Sequence, residues 1–271
     1  MVMQAHRVDG SALTYELRGE GNPVLLIHGA LGQVEIWAEV VEALAATHRV
    51  LAYDRRGHGR SPNATANRRR HAEDAAALVR EVVGEPATVV GYSSGGSIAL
   101  ETALLHPELM RALVLIEPPW HWLRPPSAEF VGLLAKARYA YLRGRDREAA
   151  EMFLRWVFKR QSGGTAWDDT PPDLKELLLG NSGAFDIGAR PHRYDQMLND
   201  VSAKAVANCA VPVTFLLGDD SHPIFHRSHQ SLTAALPTAT TRRIPKATHL
   251  LPCEAPESVV VAVREADADA A

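Results

Sequence analysis

Nine consecutive residues, Thr88-Val89-Val90-Gly91-Tyr92-Ser93-Ser94-Gly95-Gly96, carry the strongest chemical signal in the chain. A strand-like run leads into Gly-x-Ser-x-Gly and then into a helical stretch, which places a serine on a sharp strand-to-helix turn. Gly91 and Gly95 leave room for that turn, and Ser93 stands at a helix N-terminus, where free N–H groups favour a developing negative charge. A serine hydroxyl is a weak nucleophile until an imidazole takes its proton. Of the 12 histidines, His249 has the right position: it follows the last predicted strand in Arg243-Ile244-Pro245-Lys246-Ala247-Thr248-His249 and precedes a helix predicted over Ser258–Glu265. The others read as loop-ordering or surface residues, His28, His58, His106 and His121 among them, with His222, His226 and His229 on a polar face. A tetrahedral intermediate needs two convergent N–H donors. Ser94 supplies one, and His28-Gly29-Ala30-Leu31-Gly32 supplies the second from Ala30.

These residues need a scaffold that brings strand ends together. Short apolar runs at Val24–Ile27, Val50–Tyr53, Thr88–Val90, Ala112–Ile116, Val213–Leu217 and Thr240–Ile244 alternate with helical stretches such as Ile36–Ala46, His71–Val83 and Gly96–Leu105. That rhythm predicts βα units on a mostly parallel sheet, with ligands bound beyond the carboxyl ends of the strands. Between Pro118 and Pro212 the rhythm lapses into helix-like runs at Phe130–Leu142 and Arg147–Arg160, broken by Gly163-Gly164 and Pro171-Pro172. An insertion between two strands whose ends face the site fits a lid. The expected organisation is a core of residues 1–117 and 213–271 with a helical lid over residues 118–212.

Composition narrows the partners. The chain has 271 residues, 46% apolar and 23% charged, with 29 basic against 32 acidic residues, a formal charge of −3. Such a chain buries enough surface to fold without a disulfide or metal, and its charge offers no footprint for nucleic acid or an anionic membrane. Cys209 and Cys253 make neither a disulfide framework nor a zinc set. The first ten residues, MVMQAHRVDG, lack a signal-peptide pattern and no apolar run reaches membrane length, so a cytoplasmic protein is expected.

Taken together, His-Gly-Ala-Leu-Gly, Asp54-Arg55-Arg56-Gly57-His58-Gly59-Arg60-Ser61, the Gly91–Gly96 turn and a late histidine resemble the α/β-hydrolase family over essentially the whole chain. The resemblance implies an α/β fold with a mostly parallel eight-stranded sheet flanked by helices, a helical lid between strands 6 and 7, no cofactor or metal, and Ser93 and His249 as members of a catalytic triad. Serine at the elbow disfavours the related dehalogenases and epoxide hydrolases, which attack through a carboxylate. The Asp54–Ser61 turn reads as a brace for neighbouring loops.

The third triad member departs from the family's usual pattern. Relatives place an aspartate three residues after the glycine ending the seventh strand, whereas Gly218-Asp219-Asp220-Ser221 puts serine there. Glu117, directly after the strand Ala112–Ile116 and before Pro118-Pro119, stands on the strand next to the nucleophile's and is the favoured acid; Asp219 and Asp220 are the alternatives. A glutamate after the sixth strand is similar to the zearalenone lactonase type, as is the lid run Ser162-Gly163-Gly164-Thr165-Ala166-Trp167. Under that resemblance Phe185 takes the lid position of a substrate-facing tryptophan.

The activity expected is hydrolysis of a carboxylic ester or lactone of a hydrophobic or ring-bearing small molecule through an acyl-enzyme. Gly29, Leu31, Trp120, Trp122, Phe185 and Leu250 are the expected substrate contacts. Two further readings share the pattern: a C–C hydrolase, lyase or acyltransferase using the same triad, and a non-catalytic binder of hydrophobic ligands. A homodimer is one assembly the sequence allows.

Overall fold

The computed structural model describes residues 2–62, 66–120, 127–184 and 201–270. Eight strands form one sheet: β1 (Met3–Val8), β2 (Ser11–Arg18), β3 (Asn22–Ile27), β4 (His48–Tyr53), β5 (Ala87–Tyr92), β6 (Met110–Ile116), β7 (Val213–Gly218) and β8 (Thr240–Ile244). Their spatial order is β1-β2-β4-β3-β5-β6-β7-β8. β2 runs antiparallel to both β1 and β4, and every other pairing is parallel. The six strands read from sequence correspond to β3–β8. β3–β7 are legible because parallel strands covered on both faces become continuous apolar runs, and every residue of β5 is buried; β8 is the opposite edge strand and has no buried residue.

The first two strands were absent from the sequence reading. Asp9 and Gly10 turn the chain with φ of 44° and 78°, the left-handed pair of a two-residue hairpin. β1 lies at the sheet edge and is mostly exposed. It therefore lacks the apolar pattern that marked the interior strands.

Alternation along each strand divides the core. Val24, Leu26, Val50, Ala52, Val90 and Val114 face one cluster, whereas Leu25, Ile27, Leu51, Val89, Leu113 and Leu115 face the other. The first cluster is closed by α1 (Ala38–Leu44) and the C-terminal helix (Pro256–Asp269), the second by α2 (Arg68–Leu78) and α3 (Ser94–Leu105).

Between β6 and β7 the described residues contain only helices: α4 (Ala128–Leu142), α5 (Asp146–Val157), α6 (Ala166–Asp169), α7 (Pro172–Gly180) and α8 (Ala203–Ala207). α5 shows why this layer sits on the core. Its residues Ala149, Ala150, Phe153, Leu154, Trp156 and Val157 are buried on one stripe, and its charged residues lie on the other side. Behind β7 comes α9 (Pro223–Ala235), and α10 (Leu251–Glu254) precedes the C-terminal helix, α11. No helix among the described residues is long and apolar enough to cross a membrane.

At the opposite end of the sheet from the site residues, Asp267 ties α11 to three strands. Its carboxylate accepts from Asn22 Nδ2 at 2.5 Å, Arg111 Nε at 2.9 Å and Thr88 Oγ1 at 3.2 Å. Burial alone would push the pKa of this carboxyl up, but those hydrogen bonds and the Arg111 charge outweigh it, so the group titrates below its ordinary range.

Candidate active site

Ser93 sits between β5 and α3 with φ 52° and ψ −123°, a conformation that an L-residue holds only under constraint. The constraint is the packing of its glycine neighbours. A Cβ on Gly95 would lie 2.3 Å from the Ile27 carbonyl oxygen, and one on Gly91 would lie 2.5 Å from the Gly95 carbonyl oxygen. The turn can close only with hydrogen at both positions. Gly29, two residues after β3, is less tightly held, since its Cβ would fall 3.1 Å from that of Ser93.

The three residues singled out for nucleophile, base and acid lie in one hydrogen-bonded row. His249 Nε2 is 3.0 Å from Ser93 Oγ, and His249 Nδ1 is 2.5 Å from Glu117 Oε2. With Nδ1–H donating to the carboxylate, Nε2 is the acceptor facing the serine hydroxyl. The other Glu117 oxygen is held too: Oε1 accepts from Gly218 N at 2.8 Å and from Ser221 Oγ at 2.5 Å. Glu117 is 2% exposed and takes φ 46°, so both ends of the row sit on left-handed backbone.

Three residues that sequence reasoning did not assign hold this row. Ser221, three residues after the glycine that ends β7, donates its hydroxyl to the carboxylate that comes from the neighbouring strand. Phe225 stacks on the His249 ring with centroids 3.8 Å apart and an interplanar angle of 13°. Tyr92, the residue before Ser93, donates its hydroxyl to the His249 carbonyl at 2.6 Å, and burial holds that phenol well above its ordinary titration range. The Ser221 position was visible in the sequence, but its direction toward Glu117 was not.

Asp219 and Asp220 are engaged elsewhere. Asp219 Oδ1 accepts from Arg243 Nε at 2.7 Å, and Asp220 accepts from both the backbone N–H and the hydroxyl of Ser162, each at 2.7 Å. Asp220 therefore joins the loop after β7 to the loop after α5.

Above Ser93 lies a narrow, partly open cavity of about 20 Å³. Ala30, Ile36 and Leu250 line it from the core, and Phe153, Phe158 and Leu174 line it from the helical layer. Apart from Ser93, His249 and the already donated Tyr92 hydroxyl, its side chains are apolar. Of the expected substrate contacts Leu250 lines the cavity, Gly29 lies beside Ser93 without lining it, and Ala30, expected as an oxyanion donor, is in the wall.

Leu31 and Trp120, also expected as substrate contacts, do not line this cavity. Leu31 is fully buried at φ 61°, and its carbonyl accepts from Asn181 Nδ2 at 3.1 Å. Trp120 is drawn into the core beside α9: its backbone N–H donates to Ser228 Oγ at 2.8 Å, and its indole N–H donates to the Val201 carbonyl at 2.8 Å. An indole buried with its N–H satisfied is a core residue. Trp122 and Phe185 lie outside the described residues.

The turn after β4 acts as a brace. Asp54 accepts from Val34 N at 2.9 Å and from Arg60 N at 2.9 Å, and Arg56 forms a two-pronged pair with Asp74 at 2.9 and 2.6 Å.

With this geometry established, comparison decides the family: the alpha/beta hydrolase fold matches residues 22–256. The chain belongs to that family. It is 36% identical over 191 residues to the uncharacterized hydrolase YraK of Bacillus subtilis (strain 168), an alignment covering 66% of this chain and 64% of YraK, just under two thirds of that protein's length. It is 24% identical over 219 residues to the pimeloyl-[acyl-carrier protein] methyl ester esterase of Nitrosospira multiformis, covering 78% of this chain and 82% of the esterase. Among solved structures, Est816, described as an N-acyl homoserine lactone degrading enzyme, superposes with a TM-score of 0.78 at 20% identity, over 97% of this chain and 99% of that one.

Proposed function

We propose that this protein is a serine hydrolase that cleaves a carboxylic ester or lactone with an apolar or ring-bearing acyl part through an acyl-enzyme. The observation that carries the reading is the continuous row from Ser93 Oγ to His249 to Glu117, with 3.0 and 2.5 Å separations, opening into an apolar cavity. Ser93 attacks the substrate carbonyl as His249 Nε2 takes its proton. The anionic oxygen is received by the backbone N–H groups of Ala30 and Ser94; the latter is the first residue of α3, where no intrahelical acceptor exists. Glu117 holds His249 in the tautomer that accepts from serine and stabilises the imidazolium. His249 then gives its proton to the leaving alkoxide, and a water activated by the same nitrogen releases the acid.

The helical layer supplies the specificity under this reading. Residues 1–117 and 213–271 act as the core and residues 118–212 as the lid, because one wall of the cavity comes from α5 and α7 and their connections. With no charged side chain in that wall other than the reacting imidazole, an acyl group bearing a free carboxylate would be desolvated without a partner. The esterase and lactone-degrading relatives are compatible with this chemistry. Ser93→Ala should abolish hydrolysis of a p-nitrophenyl ester while leaving the melting temperature unchanged. Activity retained at the parent level would sink the assignment.

A further inference from the structure

Beneath the loop that carries Ala30 lies a buried cation that the mechanism above does not use. Arg55 is 2% exposed, and no carboxylate lies within ion-pairing distance of it among the described residues. Its backbone N–H donates to His28 Nε2 at 2.9 Å, and its Nη2 donates to the Gly29 carbonyl at 2.9 Å. Burial lowers the guanidinium to about 10, so it is a cation at neutral pH. A buried arginine without an acid is costly to keep, so its acceptor is informative.

That acceptor is the carbonyl half of the Gly29–Ala30 peptide, and two further donors converge on it. His28 Nδ1 lies 2.8 Å from the Gly29 oxygen, and Gly32 N–H donates to it at 3.2 Å. The tautomer follows from the other ring nitrogen: Nε2 accepts the Arg55 amide, so Nδ1 carries the proton and donates. Burial, followed by the Arg55 charge, holds His28 well below its ordinary titration range, which keeps the ring neutral and in this role. The 3.4 Å approach of Arg55 Nε to His28 Nδ1 is then a contact without a shared proton.

Peptides are planar and trans, so a carbonyl fixed in one direction fixes its N–H in the opposite one. We propose that Arg55 is a positioning residue for the oxyanion site: by holding and polarising the Gly29 carbonyl, it aims the Ala30 N–H into the cavity beside Ser93 and strengthens it as a donor. Hydrogen bonds in a chain polarise one another, and a full charge at one end polarises more than a neutral donor. The effect is felt where negative charge develops on the substrate oxygen and is small for the neutral carbonyl.

This inference rests on the serine hydrolase reading, and its test separates the two. Phenyl trifluoromethyl ketone forms a hemiketal by addition of Ser93 Oγ to its carbonyl, with the serine proton passing to His249 and an oxyanion left in the site. Acetophenone has the same ring and stays an uncharged ketone. In Arg55→Met, inhibition by the trifluoromethyl ketone should weaken about 10- to 100-fold, less than the roughly 100- to 1,000-fold cost of removing an oxyanion donor outright because the Ala30 N–H remains, and kcat for a p-nitrophenyl ester should fall by a similar factor. Acetophenone inhibition and KM should stay within about twofold, because a neutral carbonyl gains little from a polarised donor. Arg55→Lys, which keeps a charge and one donor, should recover part of the loss. Equal weakening toward both ketones in Arg55→Met, or no recovery in a folded Arg55→Lys, would overturn the positioning role while leaving the hydrolase reading intact. A parent protein that neither turns over the ester nor distinguishes the two ketones would overturn both.

Discussion

Replacing Glu117 by glutamine tests the acid with almost no change of shape. Both carboxylate oxygens have assigned partners: Oε1 accepts from Gly218 N–H and the Ser221 hydroxyl, and Oε2 faces His249 Nδ1 at 2.5 Å. The two donors keep the glutamine carbonyl on the Oε1 side, so the amide NH₂ must face His249. An NH₂ group cannot accept the Nδ1 proton. The imidazole is driven into the tautomer with its proton on Nε2, and Ser93 loses its base. Neutralising a triad carboxylate in this manner costs about ten-thousand-fold in kcat, or about 5.5 kcal/mol of transition-state stabilisation. Steady-state hydrolysis of p-nitrophenyl acetate near pH 7.5, with melting temperatures measured alongside, gives the readout. Glu117→Gln should melt within a few degrees of the parent and lose most of its turnover, whereas Asp219→Asn should retain it, because Asp219 is paired with Arg243 on a partly exposed surface. A Glu117→Gln protein within tenfold of the parent, or an Asp219→Asn protein as impaired as Glu117→Gln, would refute the reasoning.

Other consequences follow from contacts outside the row. Asp220→Ala removes the two hydrogen bonds to Ser162 that join the β7 loop to the lid; KM should rise about three- to tenfold with kcat little changed, as expected for the loss of one or two such bonds. A fall in kcat with unchanged KM would show that Asp220 belongs to the chemistry. Asp267→Asn should lower the melting temperature at pH 6–7, because the parent carboxylate is held below its ordinary value of 3.8 by Asn22, Arg111 and Thr88. The sign is fixed by linkage: a depressed carboxyl stabilises the fold above the unfolded value and loses that contribution as pH falls through the folded one. The gap in melting temperature between parent and variant should therefore close as pH falls below about 4, and a constant gap down to pH 2.5 would refute it.

How much of this was readable from the sequence depended on whether a residue's role was set by its neighbours in the chain. Ser93, Gly91 and Gly95 were legible because the elbow is local: strand, tight turn and helix follow one another. The five inner strands β3–β7 were legible because burial on both faces writes itself as an apolar run, whereas β8, an edge strand with no buried residue, carries no such run. In the β1–β2 hairpin β1 is the exposed edge, β2 mixes polar residues into a half-buried strand, and the signal was the single pair Asp9-Gly10. Glu117 could be named from its position at a strand end, but its partners Gly218 and Ser221 are about a hundred positions away and reach it only through the β6–β7 pairing. Phe225 and Tyr92 were missed for a similar reason, since stacking and a hydroxyl-to-carbonyl bond leave no mark on spacing. Trp120 was misplaced because a buried indole can face either a cavity or a core, and only its two hydrogen-bond acceptors distinguish them.

Every role proposed for the site requires Ser93 to be a nucleophile activated by His249. Reaction of the folded protein with a fluorophosphonate, read by intact mass and peptide mapping, tests it most directly. A single adduct on Ser93, lost in Ser93→Ala and strongly slowed in His249→Ala, is the predicted result. A folded protein that remains unlabelled, or one labelled at a residue other than Ser93, would contradict it.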